Sequence, residues 1–193
     1  HQPPRQGRNR AFEETHREMI ETAVRLISEK GADALSVAAL AREMGIDRTT
    51  VYYHFENREA LLHAVASWAT AQLAKGMDLG ISQPQRTEEI NRFVRDNPAL
   101  IKLWIDEFVS GSDIREVYSQ WDEMVAGIRQ RFERQRPGEE VDPEGYCVMM
   151  LAAAIIGPRV FANSVDPDAS PEAILVRFMK EEQRMLRRDG LLP

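Results

Sequence analysis

Residues 35–62, LSVAALAREMGIDRTTVYYHFENREALL, constrain the fold more than any other part of this chain. Ser36 is a good N-cap, because its hydroxyl oxygen accepts from the free N–H groups of a first helical turn. Val37, Leu40, Ala41 and Met44 follow at the spacing of one apolar helix face. Gly45 then supplies the left-handed conformation that ends a helix, and Asp47 caps the next one. In that second helix Val51 and Phe55, four apart, bury one side. Its other positions, Arg48, Thr49, Thr50, Tyr52, Tyr53 and His54, are donors, acceptors and planar groups. A helix that only had to be soluble would carry Glu and Lys there. Two short helices about a glycine turn, the second rich in hydroxyls and aromatics, are the pattern of a helix-turn-helix that reads DNA.

The rest of the chain reads as helices separated by caps. Residues 14–30 carry Ile20, Ala23, Val24 and Ile27 on one face and stop at Gly31, giving the helix that supports the reading pair. Asn57 caps a helix with Leu61, Leu62, Val65, Trp68 and Leu73 that stops near Gly76. Residues 80–86, GISQPQR, form a loop and the best domain boundary. Thr87 starts a short helix, and Asn97-Pro98 is a cap with first-turn proline. Ser112 opens a long helix ending at Pro137-Gly138. Asp142-Pro143 opens an apolar helix through roughly residue 163, with Pro158 inside to kink or shorten it. Ser170-Pro171 opens the last, which Gly190 stops. The expectation is an all-α chain of about nine helices, with no strand and no internal repeat. It divides into a basic flexible arm (1–11), a three-helix DNA-binding domain (12–57) and a helical domain (58–193) that begins with a connecting helix (58–76).

With the helix before it, this stretch resembles the tetracycline-repressor (TetR) family of bacterial transcription regulators. The matching residues are Leu40-Ala41, Gly45-Ile46, Val51-Tyr52-Tyr53-His54-Phe55 and Glu59-Ala60-Leu61-Leu62, within roughly the first third of the chain. Thr49 stands where many members have Gly or Pro, and Arg58 where Lys is usual; both changes are read as a different DNA sequence preference. The family's DNA contacts are implied at the matching positions Ser36, Val37, Arg48, Thr49, Thr50, Tyr52, Tyr53, His54 and Arg58. Chemically, Arg48 suits bidentate contact to guanine, and Thr49 and Thr50 suit a base edge, a phosphate or a thymine methyl. Tyr52 and His54 suit phosphates, which position the helix without reading sequence, and Tyr53 suits either. Ser36 and Arg58 open flanking helices, whose N-termini favour phosphate. Alternatives stay open: Tyr52 as core beside Val51, His54 as a packed or capping histidine, Thr50 as closure of the first turn.

The resemblance further implies a homodimer on a palindromic double-stranded operator, released by a small-molecule effector. Two-fold pairing of reading helices one DNA turn (~34 Å) apart is how such motifs gain specificity. The dimer surface is expected on residues 145–163, where Ala152, Ala153, Ala154 and Gly157 allow close approach, and on 171–188. An effector pocket is expected from Trp104, Phe108, Tyr118, Trp121, Met124, Met149, Met150 and Phe161, with polar help from Asp106, Glu107 and Arg159. The same large residues serve equally as ordinary core.

Composition limits the other classes. A net charge of −6 argues against a general nucleic-acid coat, though not against a reader with one favourable face. A single Cys147 rules out an intrachain disulfide and fits a reducing, cytoplasmic compartment. No apolar run reaches the ~18 residues of a membrane span. The histidines His1, His16, His54 and His63 show no metal-ligand spacing, and no glycine-rich phosphate loop occurs. The expectation is a non-enzymatic regulator without metal or cofactor. A helical adaptor that uses the same fold to bind protein is the alternative.

Overall fold

The computed structural model describes residues 5–75, 81–111 and 113–192. The helices expected from the caps are present, except that the long one expected from Ser112 is divided, and among the described residues there is no strand. Eleven α-helices run in order: α1 Arg5–Lys30, α2 Val37–Met44, α3 Arg48–His54, α4 Arg58–Lys75, α5 Gln83–Asp96, α6 Pro98–Val109, α7 Ile114–Val117, α8 Trp121–Gln135, α9 Pro143–Ile155, α10 Gly157–Val160 and α11 Pro171–Arg188. A 3-10 turn, Ala32–Ala34, links α1 to α2.

The described chain forms two compact units. The first holds the chain through Thr70 together with Asn97–Asp113; the second holds Ala71–Asp96 and the chain from Ile114 on. This differs from the boundary drawn from the loop at residues 80–86. Helix α6 returns to the first unit and packs on α1. Two side-chain links tie it to α4 as well. Trp104 Nε1 donates to Thr70 Oγ1 at 2.8 Å in the buried core, and His63 Nδ1 lies 3.4 Å from Glu107 Oε2. Tertiary contact, not loop composition, therefore sets the boundary.

In the first unit α1 is the support. Its buried row is Met19, Ala23, Leu26 and Ile27, all at most 3% exposed. Ile20 and Val24, assigned to that row from the sequence, are only half-buried. The helix carries two overlapping apolar rows, and packing against α2 and α6 selects one. The helix also starts earlier than expected. Residues 5–11, read as a flexible arm, continue α1, while residues 1–4 lie outside the described residues. Nothing in 5–11 breaks a helix except one glycine, and Arg10 pairs with Glu14 at 3.1 Å one turn on.

In the second unit α5 packs on α9 and α11, and α8 packs on α9. Val94, Trp121, Val125, Ile128, Phe132, Ile155 and Ile174 fill its core. Helix α5 begins at Gln83 rather than Thr87. Ser82 precedes it and Pro84 sits in the first turn, where its missing N–H costs nothing. The single long helix expected from Ser112 is two pieces. Ser112 itself lies outside the described residues, and α7 and α8 are separated at 118–120. Pro158 acts as expected: α9 ends at Ile155, and the following segment Gly157–Val165 is bent from it by 41°. No single described helix is long and apolar enough to cross a membrane.

Candidate nucleic-acid interface and effector cavity

The turn between α2 and α3 forms as its residues require. Ser36 Oγ accepts from the Ala39 N–H at 2.9 Å, capping α2 and leaving its own proton to donate outward. Gly45 adopts φ 65°, and the N–H of Ile46 reaches back to the Ala41 carbonyl at 3.0 Å. That six-to-one bond closes the end of α2. Asp47 precedes α3 as expected, but its carboxylate makes no capping bond; its carbonyl accepts from Thr50 at 3.0 Å. Leu40, Ala41, Val51 and Phe55 are buried and fix α3 against α1 and α2. Arg25 on α1 adds an ion pair to Glu43 on α2 at 3.0 Å.

Fixing α3 this way leaves a continuous polar and aromatic face outside. Arg48, Thr49 and Thr50 are exposed, and Arg48 makes no ion pair among the described residues. Tyr52 is 54% exposed and Tyr53 75%, so the core alternative for Tyr52 does not describe it. The two tyrosines keep much of their surface open beside an Arg without an ion pair, although the Tyr53 ring also meets Phe12 edge-on at 5.5 Å, and that open surface is available to a ligand.

Three of the sequence candidates sit differently. Val37 is buried at 7% exposure, because it belongs to the apolar row of α2, so its side chain faces the core. Arg58 is turned inward: its Nε donates to the Leu35 carbonyl at 2.7 Å and its Nη2 to the Ala32 carbonyl at 2.9 Å. The planar guanidinium thereby closes the entry to α2, bonding the Leu35 carbonyl and adding a second donor to the Ala32 carbonyl, which already accepts from the Leu35 N–H at 3.1 Å. His54 is half-buried, its ring stacked on Phe12 at 4.2 Å and tilted against His16 at 5.5 Å. Its Nδ1 is buried without a hydrogen-bond partner. Burial, and after it the neighbouring His16 charge, lower its pKa below the ordinary 6.5, so the ring is neutral at pH 7. His54 therefore carries no positive charge toward phosphate. Phe12, His16, Tyr53, His54 and Phe55 instead form one aromatic cluster between α1 and α3.

The second unit holds a partly open cavity of about 380 Å³ among α5, α8, α9 and α11. A second space of about 230 Å³ adjoins it. Thr87, Ile90, Met150, Ala154, Glu182 and Leu186 line both. Of the eight expected lining residues, Tyr118, Met124 and Met150 do line the larger space. Trp104 and Phe108 belong to the first unit, where their rings pack 4.2 Å apart. Trp121 is core at 3% exposure, Met149 is 64% exposed, and Phe161 packs edge-on to Phe178 at 6.0 Å. Of the polar expectations, Asp106 and Glu107 lie on α6 in the first unit, and Arg159 does not line the cavity.

Sequence reading missed Arg86, Thr87, Glu123, Arg131 and Glu182 in the lining. One signal was present. Ile174, Phe178, Glu182 and Leu186 recur every fourth residue of α11, and Glu182 is the one charge in that apolar row. Thr87 Oγ1 donates to Glu182 Oε2 at 2.9 Å. Burial pushes the Glu182 carboxyl above its ordinary range, against the Thr87 bond and the Arg86 charge, which both lower it. Tyr118 donates its hydroxyl to Met124 Sδ at 3.7 Å, and burial raises its pKa to about 12. Cys147 is buried and its thiol is raised to about 11, so it stays protonated and unreactive.

Residues 19–65 match the family model described as bacterial regulatory proteins of the tetR family. That segment carries a tetR-family domain. The match runs from the middle of α1 into α4 and holds the whole helix-turn-helix. The class D tetracycline repressor protein of Escherichia coli is 35% identical over 115 residues, 58% of this chain and 50% of that protein. The class H repressor of Photobacterium damsela subsp. piscicida gives the same identity and coverage. The chain thus spans half the length of these curated relatives. Solved structures extend the likeness of fold to both units. A protein of unknown function from Rhodococcus sp. RHA1 superposes with TM-score 0.66 at 19% identity, covering 88% of this chain and 94% of that one. A TetR-family transcriptional regulator from Pectobacterium atrosepticum does so with TM-score 0.60 at 17% identity, covering 95% and 97%. The cavity of the second unit lies outside the segment that the family model matches.

Proposed function

We propose that this chain is a sequence-specific transcription regulator that binds operator DNA through α3 and is released by a small-molecule effector. One observation carries the DNA reading: the outer face of α3 presents Arg48, Thr49, Thr50, Tyr52 and Tyr53 while Val51 and Phe55 lock the helix from beneath. These are groups that bond base edges and phosphates in a major groove. A protein-binding adaptor would have no use for an unpaired Arg followed by two exposed threonines on a helix start.

One reading helix is too small to be specific, so the working form is a homodimer on a palindromic site. Exposed apolar side chains support that. Val148, Met149, Ile156, Val160 and Val176, on α9 to α11, are each at least 37% exposed. Ala152 and Ala153 lie exposed among them, as expected for close helix approach. A face of that kind marks an interface. The cavity in the second unit is the effector site. Its volume falls in the ~300–1,000 Å³ range of small-molecule pockets, and a few polar groups interrupt an apolar lining. An effector releases DNA only by as much as it prefers the non-binding state. The tetracycline repressors' names describe those proteins; repression here is part of the proposal.

Selection of binding sites from a random DNA pool tests this directly. Enrichment of a palindrome with half-sites about one turn (~34 Å) apart supports it. A folded dimer that enriches nothing, even after denaturation and refolding to strip bound ligand, refutes it.

A further inference from the structure

We propose that the cavity of the second unit takes an amphiphilic cation, an apolar body carrying a basic nitrogen, with Glu182 as its counter-charge. The inference rests on the effector reading and gives that site its ligand class. Glu182 projects from the apolar row of α11 into a lining of Ile90, Met150, Ala154 and Leu186. Glu182 is half-buried there, and a carboxylate drawn into apolar surroundings is normally paired with a cation. Here its one hydrogen bond comes from the neutral Thr87 hydroxyl, and no cation lies within ion-pair distance among the described residues. The Arg86 guanidinium, which also lines the larger space, donates to the Ile81 carbonyl at 2.8 Å, and its charge opposes the effect of burial on Glu182 without overcoming it.

The other polar groups do not supply the missing charge. Tyr118 and Cys147 both stay neutral at pH 7, and Tyr118 spends its proton on Met124. Glu123 and Arg131 also line the larger space; Glu123 is exposed, and Arg131, half-buried on α8, makes no ion pair with Glu182 among the described residues. Burial disfavours the Glu182 charge until a cation arrives, and that desolvation makes the bond to a ligand ammonium strong. Glu182 also lines both spaces, so a nitrogen held there leaves apolar room on two sides. The ligand is thus read as an amine flanked by hydrocarbon or aromatic groups.

The test titrates the full chain calorimetrically with phenylbutylamine, phenylbutanol and phenylbutyrate, which share one skeleton. The expected order is amine tightest, by roughly tenfold over the alcohol, and acid weakest. Glu182→Gln keeps the Thr87 bond and the shape. It is expected to bring the amine down to the level of the alcohol and leave the alcohol unchanged. A parent protein that binds alcohol or acid as tightly as the amine overturns the cation assignment and leaves the cavity as a ligand site. So does a Glu182→Gln variant that still prefers the amine. Binding of none of the three overturns both the cation and the effector reading. The order in the parent protein decides even if the variant fails to fold.

Discussion

Replacing Arg58 separates two roles that the sequence left together. The guanidinium makes two bonds, to the Leu35 and Ala32 carbonyls at 2.7 and 2.9 Å, and both are partly buried. Hydrogen bonds to a charged group are each worth about 1.5–3 kcal/mol. Partial burial and the entropy released when the side chain goes place the pair at the low end. Arg58→Ala is therefore expected to cost about 2–4 kcal/mol of unfolding free energy. In a chain of this length that lowers the melting temperature by roughly 4–16 °C. Arg58→Lys offers one ammonium where a planar fork met two carbonyls, so it is expected to recover no more than about half. Urea unfolding followed by far-ultraviolet circular dichroism reads the difference. The salt dependence of operator binding is the second readout. A phosphate contact would contribute close to one unit of slope in log K against log salt; a side chain turned inward contributes none. Unchanged stability in Arg58→Ala, with a slope reduced by about one unit, would show that the residue faces DNA and that this reasoning is wrong.

Three further outcomes follow from particular contacts. Arg48→Ala is expected to lose about 1–3 kcal/mol of operator affinity and relax preference at one base position, read by repeating the selection with the variant. His54 has a folded-state pKa below its unfolded value, so protons bind the unfolded chain more tightly. Its contribution to stability is full above pH 6.5 and is lost as pH falls from there through the folded value. His54→Phe is expected to flatten the fall in melting temperature between pH 7 and 5, and an unchanged profile would contradict the assignment. At Gly157 an added Cβ would lie 2.7 Å from Phe178 Cε1, so Gly157→Ala must push that ring or separate α10 from α11. The expected loss is about 1–3 kcal/mol in thermal or urea unfolding; equal stability would mean that the ring yields freely.

Local chemistry made much of this protein legible. The two short helices and their turn follow from Ser36, Gly45 and the spacing of Leu40, Val51 and Phe55, since caps and periodic burial act over a few residues. The bend at Pro158 and the starts of α6, α9 and α11 were equally local, each set by a proline or a capping oxygen. The outward face of α3 was readable because residues that reach out to a ligand are not those a solvated helix selects.

Contacts between distant segments decided the rest. Which of two apolar rows α1 buries depends on α2 and α6, and no feature within α1 ranks them. Arg58 looks like a surface cation until the chain brings the carbonyls of Leu35 and Ala32 beside it, more than twenty residues away. His54 looks like a phosphate ligand until Phe12 and His16 cover it. The cavity is the furthest case. Its wall comes from helices separated by up to about a hundred residues, and the Thr87–Glu182 bond spans 95. A sequence shows which side chains are large or charged. Which of them line one cavity is a property of packing, because a cavity requires surfaces from elements that no local pattern relates.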